Sequence, residues 1–173
     1  MTFTTDWIES LGGPLLLAPR SSLKDWLGGY GSKLPGLQTD YARACSIDAG
    51  IGKLAIGTRL ALVLGDEPDR TALLPGTTSL EALIVRWRWA SSEDSLLSRL
   101  MAACADGALS FAPACELVTT GEEYVLFDSA YSGAKMQRSL SVPLNAGRYA
   151  IESALFKPDD ETCALVHRLR LLL

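Results

Sequence analysis

A chain of 173 residues with 48% apolar and 21% charged side chains is long enough to bury a sizeable core as one domain, 1–173, without a disulfide or metal staple. The same figures exclude disorder, which needs fewer apolar residues and more net charge. A formal net charge of −4 excludes nucleic acid as the main ligand, since phosphate binding needs a basic face. A mildly acidic surface suits a basic protein partner.

The four cysteines, Cys45, Cys104, Cys115 and Cys163, form no C-x-x-C pair. The single histidine, His167, lies outside zinc spacing. The expectation is buried, reduced thiols in a cytoplasmic protein, with no metal and no cofactor. Residues Met1 to Asp6 carry neither a basic region nor an apolar core, so no secretory leader is expected. No apolar run approaches the roughly 20 residues of a membrane span.

In chain order, Trp7, Ile8 and Leu11 read as the start of a strand or a single turn, and Gly12-Gly13-Pro14 as a break. Leu15 to Ala18 is a short apolar strand ended by Pro19. Ser21 to Gly36 reads as an irregular excursion around Trp26 and Tyr30, with one helical turn through Leu23 to Leu27. Gly28-Gly29-Tyr30-Gly31 lacks the spacing of a phosphate-binding loop. Thr39 or Asp40 caps a short helix over Asp40–Ser46. Lys53–Ile56 and Arg59–Leu64 form a hairpin across Gly57-Thr58. The second of these strands is apolar on both faces and therefore central. Gly65 to Asp69 is a charged turn.

Thr71–Leu74 is a short strand and Glu81–Ala90 a long one, with Leu83, Val85, Trp87 and Trp89 on its core face; because a buried indole needs an N–H partner, the alternative places one tryptophan at a rim. Ser91-Ser92-Glu93-Asp94 is a helix start, with a hydroxyl cap and acids in the first turn. Leu96, Leu97, Leu100, Met101 and Cys104 then share one face of a helix over Ser92–Ala105. Phe111 to Pro113 is a connector, Cys115–Thr119 and Glu123–Asp128 a hairpin, and Ser129–Arg138 a loop. Ser139–Leu144, interrupted by Pro143, is an edge strand.

The chain closes on a strong hairpin signal. Tyr149, Ile151, Ser153 and Leu155 alternate with Arg148, Ala150, Glu152 and Ala154. After the turn residues Lys157 to Glu161, Cys163, Leu165, His167, Leu169 and Leu171 alternate with Ala164, Val166, Arg168 and Arg170. The pattern predicts a mainly β (α+β) fold of about ten strands. It is a bent antiparallel sheet or two packed sheets, with one covering helix near 92–105 and a C-terminal hairpin.

Catalytic signatures are absent. There is no nucleophile elbow, P-loop or H-E-x-x-H. His167 shares its strand face with Cys163, Leu165 and Leu169, the setting of a structural histidine. Cys163 and His167, four residues apart on a strand, lie beyond hydrogen-bond reach. Carboxylates group as Asp66/Glu67/Asp69, Glu122/Glu123 with Asp128, and Asp159/Asp160/Glu161. Each group sits at a turn, where acids are usually solvated or cap backbone. No catalytic residue is assigned. The Asp66 turn and the Asp128 loop are candidate anionic surfaces for a basic partner. Two alternatives stand beside that reading: a small-molecule or peptide binding module using the Trp26/Tyr30 loop, and a hydrolase using turn carboxylates.

Several stretches in colinear order carry a resemblance. They are Trp7-Ile8-Glu9-Ser10-Leu11-Gly12-Gly13-Pro14-Leu15-Leu16-Leu17, Asp40-Tyr41-Ala42-Arg43-Ala44-Cys45 and Leu62-Val63-Leu64-Gly65-Asp66-Glu67-Pro68. Val85-Arg86-Trp87, Leu126-Phe127-Asp128-Ser129-Ala130-Tyr131, Ala146-Gly147-Arg148-Tyr149 and His167-Arg168-Leu169 follow. Together they resemble the Immunity protein 21 family of bacterial polymorphic toxin systems. The resemblance implies a non-enzymatic cytoplasmic protein that binds a cognate toxin domain and neutralises it by occlusion. It implies no nucleic-acid or membrane partner, and a monomer or weak homodimer. Trp7, Asp66, Glu67, Asp128 and Arg148 are the polar or aromatic positions it singles out. The expected partner-binding residues are Asp66, Glu67, Asp128, Trp26 and Tyr131.

Overall fold

The strand and helix periods sort into layers in a computed structural model that describes residues 6–36, 38–65 and 69–173. Among the described residues the strands are β1 (Trp7–Ile8), β2 (Leu15–Pro19), β3 (Ile51–Ile56), β4 (Arg59–Leu64), β5 (Arg70–Pro75) and β6 (Glu81–Trp89). They continue as β7 (Ala112–Thr120), β8 (Glu123–Asp128), β9 (Ser139–Pro143), β10 (Ala146–Asp159) and β11 (Thr162–Leu172). They form two antiparallel sheets. The first runs β1-β5-β6-β11-β10-β7 and the second β3-β4-β2-β8-β9. Helix α1 spans Asp40–Cys45 and α2 spans Glu93–Ala105. The expected pair of packed sheets is thus the arrangement observed. Thr39 caps α1 and Ser92 caps α2, each accepting a backbone N–H three residues on.

The two sheets bury their facing sides against each other. Ile84, Leu117, Tyr149, Ile151 and Leu169 of the first meet Leu15, Leu17, Leu62, Leu64, Tyr124 and Leu126 of the second. The outer face of the second sheet, with Leu16, Val63, Val125 and Phe127, is covered by Leu23, Trp26 and Ala44. These three belong to a layer made of α1 and the 3-10 turns Arg20–Asp25 and Gly28–Tyr30. Coverage on both sides explains why Leu15, Leu16 and Leu17 are all buried in succession. The outer face of the first sheet is covered in part by α2. Leu96, Leu97 and Leu100 lie fully buried beside Leu83, Val85, Phe156, Ala164 and Val166.

The C-terminal hairpin lies inside the first sheet, paired in unbroken register from Arg148↔Leu172 to Phe156↔Ala164. Its alternation is kept, but the face that is covered changes along its length. Tyr149 and Ile151 are buried between the sheets, whereas Ala154 and Phe156 are buried toward α2. Leu155, expected on the buried face, is exposed. Pairing of β10 with β7 stops at Ser153, so the end of the hairpin extends past its neighbour.

Other boundaries shift for similar reasons. Strand β7 starts at Ala112, not Cys115, and accommodates Pro113 by a register slip opposite Ile151 and Glu152. Strand β10 runs through Pro158 to Asp159, leaving a tighter turn at Asp160-Glu161. Of the two tryptophans, Trp89 is the one at a rim: it is 44% exposed, with its indole N–H donating to the Asp160 carbonyl at 3.0 Å. The slip between Cys163 and Ala164 moves it off the Trp87 face. Trp87 meets Trp7 edge-on at 5.5 Å, and Arg70 stacks on both rings.

Because three leucines of α2 are its whole deep contact, truncating one leaves a cavity. Leu100→Ala should cost about 2–5 kcal/mol, read as a lower urea midpoint with an unchanged m-value. A midpoint within experimental error of the parent would show that α2 is only loosely attached.

Candidate functional site

Strand pairing brings three chain segments to one end of the second sheet. Leu15 at the start of β2 pairs with Leu64 at the end of β4 and with Asp128 at the end of β8. There Asp128 turns its carboxylate inward. Oδ2 accepts the Leu11 N–H at 3.0 Å and Oδ1 the Ala130 N–H at 2.9 Å. The next residue continues the join, since Ser129 donates both its N–H and its hydroxyl to the Pro14 carbonyl. The Ser129 carbonyl accepts the Trp26 indole N–H at 3.0 Å.

The 3-10 layer is tied to the same loop. Gly29 N–H donates to the Ala130 carbonyl and Gly133 N–H to the Trp26 carbonyl, both at 3.0 Å. Gly28 has φ +59, and a Cβ there would lie 2.5 Å from the Ala130 oxygen, so only glycine allows this approach. Asp40 completes the corner, accepting the Leu27 N–H and an Arg43 N–H at 2.8 Å each. Tyr41 lies directly against Gly13.

The residues expected to meet a partner are therefore placed unequally. Asp128 was expected as an exposed strand-end acid but is only 6% exposed. Its two oxygens instead turn inward to accept the Leu11 and Ala130 N–H groups. Trp26 is 1% exposed and faces the core. Tyr131 is half-buried, with its N–H on the Asp128 carbonyl at 3.2 Å. Asp66 and Glu67 lie outside the described residues; Gly65, which precedes them, stands at this same end of the sheet.

Above the Asp128 carboxylate is a hollow of about 160 Å³ lined by Glu9, Leu11, Asp128, Tyr131, Gln137 and Arg138. Leu11 beside it is 85% exposed. It was read as part of an opening strand or single turn, and the break at Gly12-Gly13-Pro14 that follows it was the available signal that it sits on a loop.

Other constellations are closed to chemistry. Ser153 Oγ and His167 Nδ1 are 2.7 Å apart, a nucleophile–base distance, but His167 is wholly buried. Burial, reinforced by Arg86, lowers its pKa from 6.5 to about 3. The hydrogen bond to Ser21 holds the Glu122 carboxyl below the usual range, and ion pairs with Arg20 and Arg99 do the same for Glu123 and Asp159. Burial raises the Glu152 carboxyl, but Arg170 and Arg168 together outweigh it and the net shift is downward. A hydrolase would need a carboxyl shifted the other way as general acid.

A larger cleft of about 280 Å³ beneath the end of α2 contains Glu81, Cys104, Phe111 and Arg168. Its charges are already engaged. Arg168 pairs with Glu152 at 2.8 Å and stacks on Phe111. Trp26 points inward and Tyr30 outward, so they share no binding cleft. Desolvation raises the Cys104, Cys115 and Cys163 thiols, while Cys45, expected to be buried, is exposed. Among the described residues no group of three or more His, Cys, Asp or Glu could hold a metal ion. None of their helices is long and apolar enough to cross a membrane.

The family model of Immunity protein 21 matches residues 6–162. No curated protein and no solved structure matches the chain.

Two measurements check the site's physical description. Asp128→Ala strands the Leu11 and Ala130 N–H groups and should cost about 2 kcal/mol or more; a change below 0.5 kcal/mol would mean that water replaces the carboxylate. For His167, the unfolded chain takes up a proton near 6.5, whereas the folded chain refuses it until about 3. Stability is therefore fully present above 6.5 and declines as pH falls between these values, by about 1.4 kcal/mol per pH unit from this group. Denaturant unfolding at pH 7.5 and 4.5 should show this slope, and His167→Gln should flatten it. An unchanged slope in the variant would assign the acid sensitivity to carboxylates.

Proposed function

The chain belongs to the Immunity protein 21 family, and on that premise we propose that it binds a cognate bacterial toxin domain and neutralises it by occlusion, without catalysis. The observation that carries the surface assignment is the convergence at Asp128. The Glu9–Pro14 loop, the Asp128–Arg138 loop and the exit of β4 toward Asp66 and Glu67 meet at one end of a sandwich. Helices and 3-10 turns cover much of its outer faces, so the strand ends are where side chains are free to meet a protein.

The charge of this end suits a basic partner. Asp6 and Glu9 are exposed there, Asp66 and Glu67 follow Gly65 in the chain, and an acidic rim steers a cationic surface toward it. Asp66, Glu67 and Tyr131 are assigned to contact the toxin. Asp128 and Trp26 act from beneath, holding the two loops that carry the contact. The protein works in the cytoplasm and needs no cofactor.

Titration with the toxin domain encoded beside it should give a stoichiometric complex in which toxin activity is lost and neither chain is altered chemically. The double variant Asp66→Lys/Glu67→Lys should melt within about 0.5 kcal/mol of the parent. It should bind about 2 kcal/mol or more weaker, with an association rate that no longer falls with salt. Unchanged affinity would remove this turn from the interface. A collapsed melt would make the two acids structural.

A further inference from the structure

The loop between β1 and β2 presents a large apolar side chain on a backbone that cannot move away. Leu11 is 85% exposed, which leaves most of its side chain in water and its burial available to a partner. The backbone beneath it is fixed from both sides. Its own N–H is held by Asp128 Oδ2 at 3.0 Å. The Ser10 hydroxyl, itself buried, donates to the Gly13 carbonyl at 2.6 Å and accepts the Gly12 N–H at 3.4 Å. Gly12 has φ +123, a conformation that favours glycine, with nothing within 4 Å of where a Cβ would be. Gly13 packs on Tyr41, and the Pro14 carbonyl is held twice by Ser129.

We propose that Leu11 is the apolar anchor of the toxin interface, entering a pocket on the toxin whose rim is basic where it meets Glu9 and Asp6. The inference rests on the immunity reading above and goes beyond it by naming the residue and the chemistry of its counterpart. Preorganisation is the physical argument. A side chain on a backbone already fixed loses little further freedom on binding, so its burial is returned as affinity. Hot spots have this form, an apolar anchor inside a ring of polar groups. Glu9, Gln137 and Arg138 provide that ring, and the hollow beside Leu11 offers a complementary socket for one residue of the partner. The exposed acids on the Leu11 loop and just before it, Asp6 and Glu9, set the sign of the opposing rim.

The experiment is a calorimetric titration of the cognate toxin domain into the full chain and three variants, with a thermal melt of each. Leu11→Ala should melt like the parent, because its side chain supports nothing, and should bind at least about 30-fold more weakly. Glu9→Lys should weaken binding about tenfold, mainly through a slower association rate. Val118→Ala removes another exposed apolar group, on β7 at the far edge of the first sheet, and should bind like the parent. If the parent chain binds no toxin, the immunity reading and this inference fall together. If the parent binds and Leu11→Ala binds within twofold of it, the anchor is refuted and the immunity reading stands. If Leu11→Ala weakens binding but Glu9→Lys strengthens it, the assigned basic rim is wrong.

Discussion

One carboxylate decides how this molecule is joined at one end of its second sheet. Asp128 closes β8 and spans two backbone donors that are 119 residues apart in the chain, Leu11 and Ala130. A hydrogen bond to a charged group is worth more than a neutral one, and the alternative is a pair of N–H groups with no partner. With this link in place, the Ser10–Pro14 loop and the Ser129–Gly133 loop become one surface. The Trp26 indole, seated on the Ser129 carbonyl, then fastens the 3-10 layer to it. An acid here is not interchangeable with a hydroxyl or an amide, since both oxygens must accept.

The rest of the architecture limits where a partner can sit. The facing sides of both sheets are committed to each other, the outer side of the second is covered, and α2 lies over part of the first. The uncovered part of that outer side carries Glu152 between Arg168 and Arg170. These charges satisfy one another, and an incoming ligand would have to displace an ion pair already formed. At the Asp128 end, by contrast, the Asp128 carboxylate is satisfied from within while Leu11, Glu9, Gln137 and Arg138 are exposed.

Much of the fold was readable because it depends on local chemistry. Ser92, Glu93 and Asp94 announce α2, and Leu96, Leu97 and Leu100 fix the face it buries. The long period-2 runs on either side of Asp160 announce the hairpin. What local pattern could not supply was which strand lies beside which, because β2–β8 and β6–β11 are joined across long stretches of chain. The same limit explains Asp128. An acid at a strand end reads as solvated unless one knows that Leu11 arrives there. It also explains Leu155, whose alternation is correct but whose expected cover stops at Ser153. Trp26 was expected on an irregular excursion and among the partner-binding residues because the carbonyl that fixes it, on Ser129, is far away in sequence. Among the segments that carry the family resemblance, the structure buries Asp128 and leaves Leu11 exposed.

The strand order of the first sheet has a consequence for how the chain assembles as it is made. Strands β6 and β7 are separated in sequence by little more than α2, yet in the sheet β11 and β10 stand between them. Until the last of these strands leaves the ribosome, β1-β5-β6 and β7 are two fragments with no shared hydrogen bond, and α2 lacks Phe156, Ala164 and Val166 to rest on. The second sheet is under no such restriction, because all its strands precede the hairpin. The nascent protein therefore holds a half-covered second sheet and an open first one until residues 146–172 insert as a wedge. Such non-local closure is slow and leaves strand edges exposed while it waits, which makes the hairpin the step that commits the whole sandwich to its native state.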